Sequence, residues 1–194
     1  MLIGKSSNNF SKMFFGRVNM MVSWFNCYFC ITGLTNSMKI ALMQTGKTTD
    51  RNLLLSIEDY ASRIRKYTVF DITTIPDLKN TKNMPSSEQK VKEGKKILKS
   101  LDTSDYIILL DERGKEFRTT GFSELLGKVL MLPKKRIVFV IGGPWGFSEE
   151  VYEKSDLRMS LSKMTFPHQM VRLLFLEQLY RAFTIIKGEP YHHE

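Results

Sequence analysis

A chain of 194 residues with 42% hydrophobic and 25% charged residues is ordinary globular material, long enough for one buried core and too apolar for a disordered or fibrous chain. The balance is basic, 29 Lys and Arg against 20 Asp and Glu, a formal net charge of +9; such an excess favours a polyanionic partner such as RNA without establishing one. Both cysteines, Cys27 and Cys30, fall within the first 37 residues, so the remainder has no disulfide framework and suits a reducing cytoplasm.

Those first 37 residues stand apart. They carry Lys5, Lys12 and Arg17 and no acid, and taking those three from the 29 basic residues leaves 26 against 20 acidic ones in the rest. Residues 20–34 form an apolar run broken by Ser23, Asn26, Thr32 and Gly33. That is short for a membrane span of about 20 residues, and no Ala-x-Ala cleavage site follows. Cys27-x-x-Cys30 lacks a second ligand pair and sits among Phe25, Tyr28, Phe29 and Ile31, so no metal is expected. Met38 begins Met-Lys-Ile-Ala-Leu-Met, a buried strand of the kind that opens an α/β domain. The division expected is an N-terminal extension over 1–37, non-native or disordered, and one domain over 38–194; a membrane anchor is the rival reading of the extension.

From Met38 the pattern alternates. A strand over 38–43 turns through Gln44-Thr45-Gly46-Lys47 into a helix carrying Leu53, Leu54, Ile57, Tyr60, Ala61 and Ile64 at helical spacing. A second strand is expected over 68–75. After a polar loop, Ser86 and Gln89 form a capping-box signature for a lysine-rich helix reaching Leu101, its lysines a solvated face. Residues 105–111, Asp-Tyr-Ile-Ile-Leu-Leu-Asp, read as a central strand buried on both faces, with 112–116 as a charged loop. A helix over 120–132 leads to a buried strand over 136–141, which stops at Gly142-Gly143-Pro144-Trp145-Gly146. The glycine spacing is not the dinucleotide fingerprint, and Pro144 lacks an N–H for a phosphate cradle. Adjacent glycines instead let a ligand approach the main chain.

A short helix over 148–155 and a strand over 157–162 precede the last helix, 167–187. The junction, Ser160 to Arg172, joins strand to helix through a hydroxyl-rich turn. Thr165 is placed to cap the helix that Pro167 opens, leaving first-turn N–H groups available to a ligand. His168 and Arg172 lie four apart and so share a helix face. The last helix carries apolar residues on nearly every side, including Leu173, Leu174, Phe175, Leu176, Leu179, Phe183 and Ile186, and such a helix is buried in a core or against a second subunit. Gly188 and Pro190 end it. The tail Tyr191-His192-His193-Glu194 holds two of the three histidines, although a chain end by itself is ordinarily frayed.

Leu-Leu-Asp-x-x-Gly at Leu109 to Gly114, Ile-Gly-Gly at Ile141 to Gly143, Ser-x-Ser-Lys-Met-Thr-Phe-Pro-His at Ser160 to His168, Glu-Gln-Leu-Tyr-Arg-Ala at Glu177 to Ala182, and the closing Pro-Tyr-His occur in one order and register. Together they closely resemble the RlmH (YbeA) family of SPOUT methyltransferases, over 38–194 and not over 1–37. The resemblance implies an α/β fold, a SPOUT α/β-knot with a deep C-terminal trefoil knot and a parallel-rich sheet flanked by helices. It implies methylation of N3 of a pseudouridine in large-subunit (23S) ribosomal RNA, with S-adenosyl-L-methionine as methyl donor and no metal. The matching cofactor positions are Leu110, Gly142, Gly143, Leu161, Ser162, Lys163, Met164, Thr165 and Phe166. Trp145 departs from the smaller or acidic residue expected there. His168, His192 and Glu194 are candidate proton acceptors, with His192 ranked first and Tyr191 positioning; Arg172 and Arg181 are candidates to hold phosphate or developing negative charge. A cytoplasmic homodimer acting on ribosomal RNA within the assembled ribosome follows from the resemblance, with no membrane partner. A SPOUT enzyme with another RNA target and a non-catalytic RNA-binding assembly factor are the alternatives.

Overall fold

The computed structural model describes residues 38–191. The readings placed on residues 1–37, including Cys27 and Cys30, and on His192 and Glu194 lie outside the described residues. The elements run β1 Lys39–Thr45, α1 Arg51–Ile64, β2 Phe70–Ile75, α2 Ser86–Lys99, β3 Asp105–Glu116, α3 Thr119–Val129, β4 Arg136–Ile141, α4 Glu149–Lys154, β5 Leu157–Ser160 and α5 His168–Lys187. The five strands form one parallel sheet in the order β2-β1-β4-β3-β5.

Successive residues of a strand face opposite sides of a sheet, so a sheet covered twice must be apolar at consecutive positions. Ile108, Leu110, Ile137, Phe139 and Ile141 face α1, α3 and α5, where they meet Ile57, Phe122, Phe175 and Leu179. Ile107, Leu109, Val138 and Val140 face the other way, toward Ile97 of α2 and Val151 of α4. This is why 105–111 and 136–141 read as unbroken apolar runs.

Four local expectations change. Residues 112–116 are not a loop: β3 continues to Glu116, with Lys115 and Glu116 paired to Met159 and Ser160. The charged side chains there obscured the strand because most of them face solvent. The Ser86–Gln89 capping box does not form. Pro85 holds the cap position, and Gln89 Nε2 donates instead to the Met84 and Thr81 carbonyls at 2.8 and 3.3 Å. Thr165 does not cap the last helix either; Pro167 precedes its first residue and no side chain caps it. Finally, α5 is buried on one side by Phe175, Leu176, Leu179 and Phe183, while Val171, Leu173, Leu174 and Ile186 are half-buried.

Candidate active site

The strand registers assemble the site. Leu110 of β3 pairs with Ile141 of β4 on one side and with Met159 of β5 on the other. Gly142 follows Ile141 directly and Leu161 lies two residues past Met159, so the glycine turn and the 161–166 loop leave the carboxyl ends of β4 and β5 on either side of Leu110, the last β3 residue paired with β4. Parallel sheets bind ligands at that end. The loop braces itself: the Ser160 hydroxyl donates to the Ser162 carbonyl at 2.9 Å, and Ser162 Oγ accepts the Met164 N–H at 3.0 Å. Thus braced, it holds Met164 72% exposed and Phe166 38% exposed. Lys163 is almost fully solvated, 3.9 Å from Glu116, an ion pair of little energetic weight. A cavity of about 50 Å³ beneath the loop, bounded by Phe117, Phe122, Leu161 and Gln178, holds a few waters at most. A nucleoside would lie across the open rim instead.

The glycine turn differs from its sequence reading. A Cβ on Gly142 would stand 3.0 Å from the Phe147 ring, and one on Gly143 would meet Glu93 Oε2 at 2.4 Å. The Phe147 and Glu93 side chains occupy the Cβ side of these glycines. Gly146, at φ +76°, closes the turn by donating its N–H to the Gly143 carbonyl at 3.1 Å. Half-exposed Trp145 is oriented by its indole N–H, which donates to Gln89 Oε1 at 3.1 Å. Glu93 is a residue the sequence reading missed. It is buried, its Oε2 lacks a hydrogen-bond partner, and burial followed by the Asp77 charge pushes its carboxyl up. Nothing distinguished it within a lysine-rich helix.

His168 and Arg172 share a helix face, as their spacing requires, but not an environment. His168 is exposed at the head of α5, whereas Arg172 is completely buried. Its guanidinium donates to Thr48 Oγ1 at 2.6 Å and to the Thr45 carbonyl at 2.7 Å. Burial lowers its pKa, opposed by Asp77. Gln169 reinforces the same junction, its Oε1 accepting the Thr49 N–H at 2.9 Å. The Arg172 guanidinium is therefore committed to the β1–α1 loop rather than presented to a phosphate. Arg172→Ala is expected to lower unfolding free energy by about 3 kcal/mol, through the cavity and the stranded acceptors. Arg172→Met, which refills the volume, should cost less than half of that. Equal denaturation midpoints for Ala and wild type would contradict the assignment.

Arg181 and Tyr191 meet at the opposite end of α5. Arg181 donates to Glu177 Oε1 through Nε at 3.0 Å and Nη2 at 2.5 Å, and this carboxylate holds it firmly protonated. The guanidinium lies 5.1 Å from the Tyr191 ring centre. Tyr191 packs edge-on against Tyr180 at 4.9 Å, with its hydroxyl 3.5 Å from Glu177 Oε1. At 1.5 Å per residue, Arg181 stands about 20 Å along the helix from His168. The structure thus brings His168 to the 161–166 loop and Arg181 to Tyr191, and keeps the two groups apart within one chain.

A family model described as a predicted SPOUT methyltransferase matches residues 38–192. The chain belongs to the SPOUT methyltransferase family. Two relatives named ribosomal RNA large subunit methyltransferase H are each 54% identical to it. The protein of Christiangramia forsetii aligns over 156 residues, 80% of this chain and 99% of its own. That of Flavobacterium johnsoniae aligns over 157 residues, 81% of this chain and 100% of its own. A solved structure described as a probable methylase family protein, from Haemophilus influenzae, covers 81% of this chain and 71% of its own at 16% identity, with a TM-score of 0.44.

The SPOUT match takes in all five strands and every candidate residue through His192, and leaves 1–37 outside. The residues present also suit the methyl donor of such an enzyme. Met164 and Phe166 are large apolar side chains left in water on the loop that adjoins Gly142, and covering an adenine would remove that surface from solvent. Among the described residues, no three His, Cys, Asp or Glu side chains gather as a metal site.

Proposed function

We propose that this chain uses S-adenosyl-L-methionine to methylate N3 of a pseudouridine in 23S ribosomal RNA. The supporting observation is that the Gly142–Gly143 turn and the 161–166 loop leave the ends of β4 and β5 on either side of Leu110, in a chain 54% identical to ribosomal RNA large subunit methyltransferases over nearly their full length. When bound, S-adenosyl-L-methionine supplies an electrophilic methyl group. Leu110 and the 161–166 loop hold the donor, while the apolar faces of Met164 and Phe166 exclude water around it. His192 accepts the imide proton from N3, Tyr191 orients the base, and Arg181 offsets the negative charge that develops on the ring. His168 and Glu194 are the other candidate acceptors.

The separation along α5 supports a homodimer. Tyr191, held near Arg181, lies at the far end of α5 from the 161–166 loop of its own chain, whereas a second copy, placed by two-fold symmetry, can set its Tyr191 against that loop. The half-buried apolar residues of α5 provide surface for that contact. A deep trefoil knot is part of the same reading. The enzyme of this reading is cytoplasmic and acts on assembled ribosomes; among the described residues, no helix is long and apolar enough to cross a membrane.

The test is methyl transfer from labelled S-adenosyl-L-methionine to ribosomes lacking the modification, with the product mapped by mass spectrometry and the enzyme's mass read by light scattering. One methyl per 23S molecule, at a pseudouridine, from a dimer is the expected result. Binding of RNA without calorimetric binding of the donor would favour an assembly factor instead.

A further inference from the structure

Chain ends with few contacts are normally disordered, yet the described end of this one is fastened at two levels. Gly188 turns the chain off α5 at φ +68°. The next residue, Glu189, donates its N–H to the Thr184 carbonyl at 2.9 Å and accepts the Tyr67 hydroxyl at 2.5 Å. Tyr67 belongs to the turn between α1 and β2, far away in sequence. Its ring is nearly parallel to Phe183, with centres 5.4 Å apart, and tilts against Tyr180 at 6.0 Å. Tyr180 then receives the Tyr191 ring edge-on, and Arg181 covers that ring. A short path of contacts therefore runs from the Tyr67 hydroxyl to the residue that precedes His192. Burial, then Glu189, raises the Tyr67 hydroxyl well above the ordinary tyrosine range, so it remains a donor at any working pH.

We propose that the Tyr67–Glu189 hydrogen bond is a clasp that holds Tyr191 in the geometry required for methyl transfer. Tyr67 and Glu189 are positioning residues in this scheme, and it rests on the reading above that the tail serves the target base. Local helix geometry asks for neither residue. Glu189 is exposed and follows a left-handed glycine, where the chain has left the helix. Tyr67 keeps its apolar contacts through its ring alone. What the hydroxyl adds is a tether on a segment only a few residues long, and untethering it lowers the fraction of tails in the productive position.

Tyr67→Phe keeps the stack on Phe183 and removes only the donor. Glu189→Gln keeps an acceptor, and Glu189→Ala does not. In single-turnover methylation of ribosomes, Tyr67→Phe and Glu189→Ala are each expected to slow the rate about tenfold, the size of one lost hydrogen bond to a charged group. The double variant should be no slower than either single, because both delete the same contact. Glu189→Gln should retain most of the rate, and donor affinity and melting temperature should match wild type throughout. A wild-type rate in Tyr67→Phe overturns the clasp, as does an independent, roughly hundredfold loss in the double variant. A rate loss accompanied by weaker donor binding or a lower melting temperature overturns it in favour of general support of the fold. His192→Ala in the same assay separates the levels: a slow His192→Ala beside a normal Tyr67→Phe sinks only the clasp, and a normal His192→Ala sinks both.

Discussion

Gly114→Val is expected to lower the melting temperature by about 10 °C or more, the largest stability loss at any glycine of the domain. Between its two pairings with β5, the chain passes Gly114 directly against the β5 backbone. A Cβ there would lie 2.5 Å from both the nitrogen and the carbonyl carbon of Met159, and 2.7 Å from the carbonyl carbon of Arg158. A rotating neighbour relieves a clash with a flexible side chain, but nothing short of parting two segments relieves this one. Overpacking commonly costs about 1–3 kcal/mol even when side chains absorb it, so about 3 kcal/mol is a lower bound, and each kcal/mol moves the midpoint of a domain this size by roughly 2–4 °C. The pairing at stake, Lys115 to Met159 and Glu116 to Ser160, sits immediately before the 161–166 loop. Donor affinity should therefore fall with stability. Gly121→Ala is the control: its Cβ would find only Phe117, at 3.9 Å, inside α3, and it should be neutral or gain up to about 1 kcal/mol. Melting within about 2 °C of wild type for Gly114→Val would show that the contact opens freely.

What the sequence revealed and what it concealed follow from where the determining contacts lie. Residues 136–141 and 105–111 were legible because burial on both faces of a sheet demands apolar residues without interruption, a one-dimensional pattern. Strand 112–116 was not, since its pairing partner is β5 and its side chains point to solvent. Arg172 and Glu93 were opaque for a related reason: a buried polar side chain looks like a surface one until the groups around it are known. Thr45 and Thr48, which receive the Arg172 guanidinium, are more than 120 residues away. The motif Ser160 to His168 marked one group of candidate residues, and Arg181 with Tyr191 marked another. His168 and Arg172 share a face, as their spacing implied, but helical rise sets Arg181 about 20 Å from His168. Groups at opposite ends of one helix share no short-range periodicity that would relate them.

His192→Ala is expected to cut the methylation rate by at least about 10², while leaving affinity for S-adenosyl-L-methionine nearly unchanged. Tyr191 is held by Tyr180, Arg181 and Glu177, and His192 is the next residue in the chain. A positioned proton acceptor contributes about 10²- to 10⁴-fold, and its loss falls on the transition state rather than on ground-state binding of the donor. Neutral imidazole is the working form, so the wild-type rate should decline as pH drops through the range where histidine titrates, about 6 to 7, and the mutant should lose that limb of the profile. Arg181→Lys is the companion variant. It retains a cation but not the two-pronged grip on Glu177, and a point charge on a flexible stem does not replace a planar fork. It should slow the reaction without flattening the pH profile, because the acceptor remains. Single-turnover assays on ribosomes from pH 5.5 to 8.5, with donor binding measured separately, distinguish these roles. An unaltered rate and profile in His192→Ala would transfer the proton to Glu194 or His168, and Glu194→Gln and His168→Ala, run in parallel, would show which.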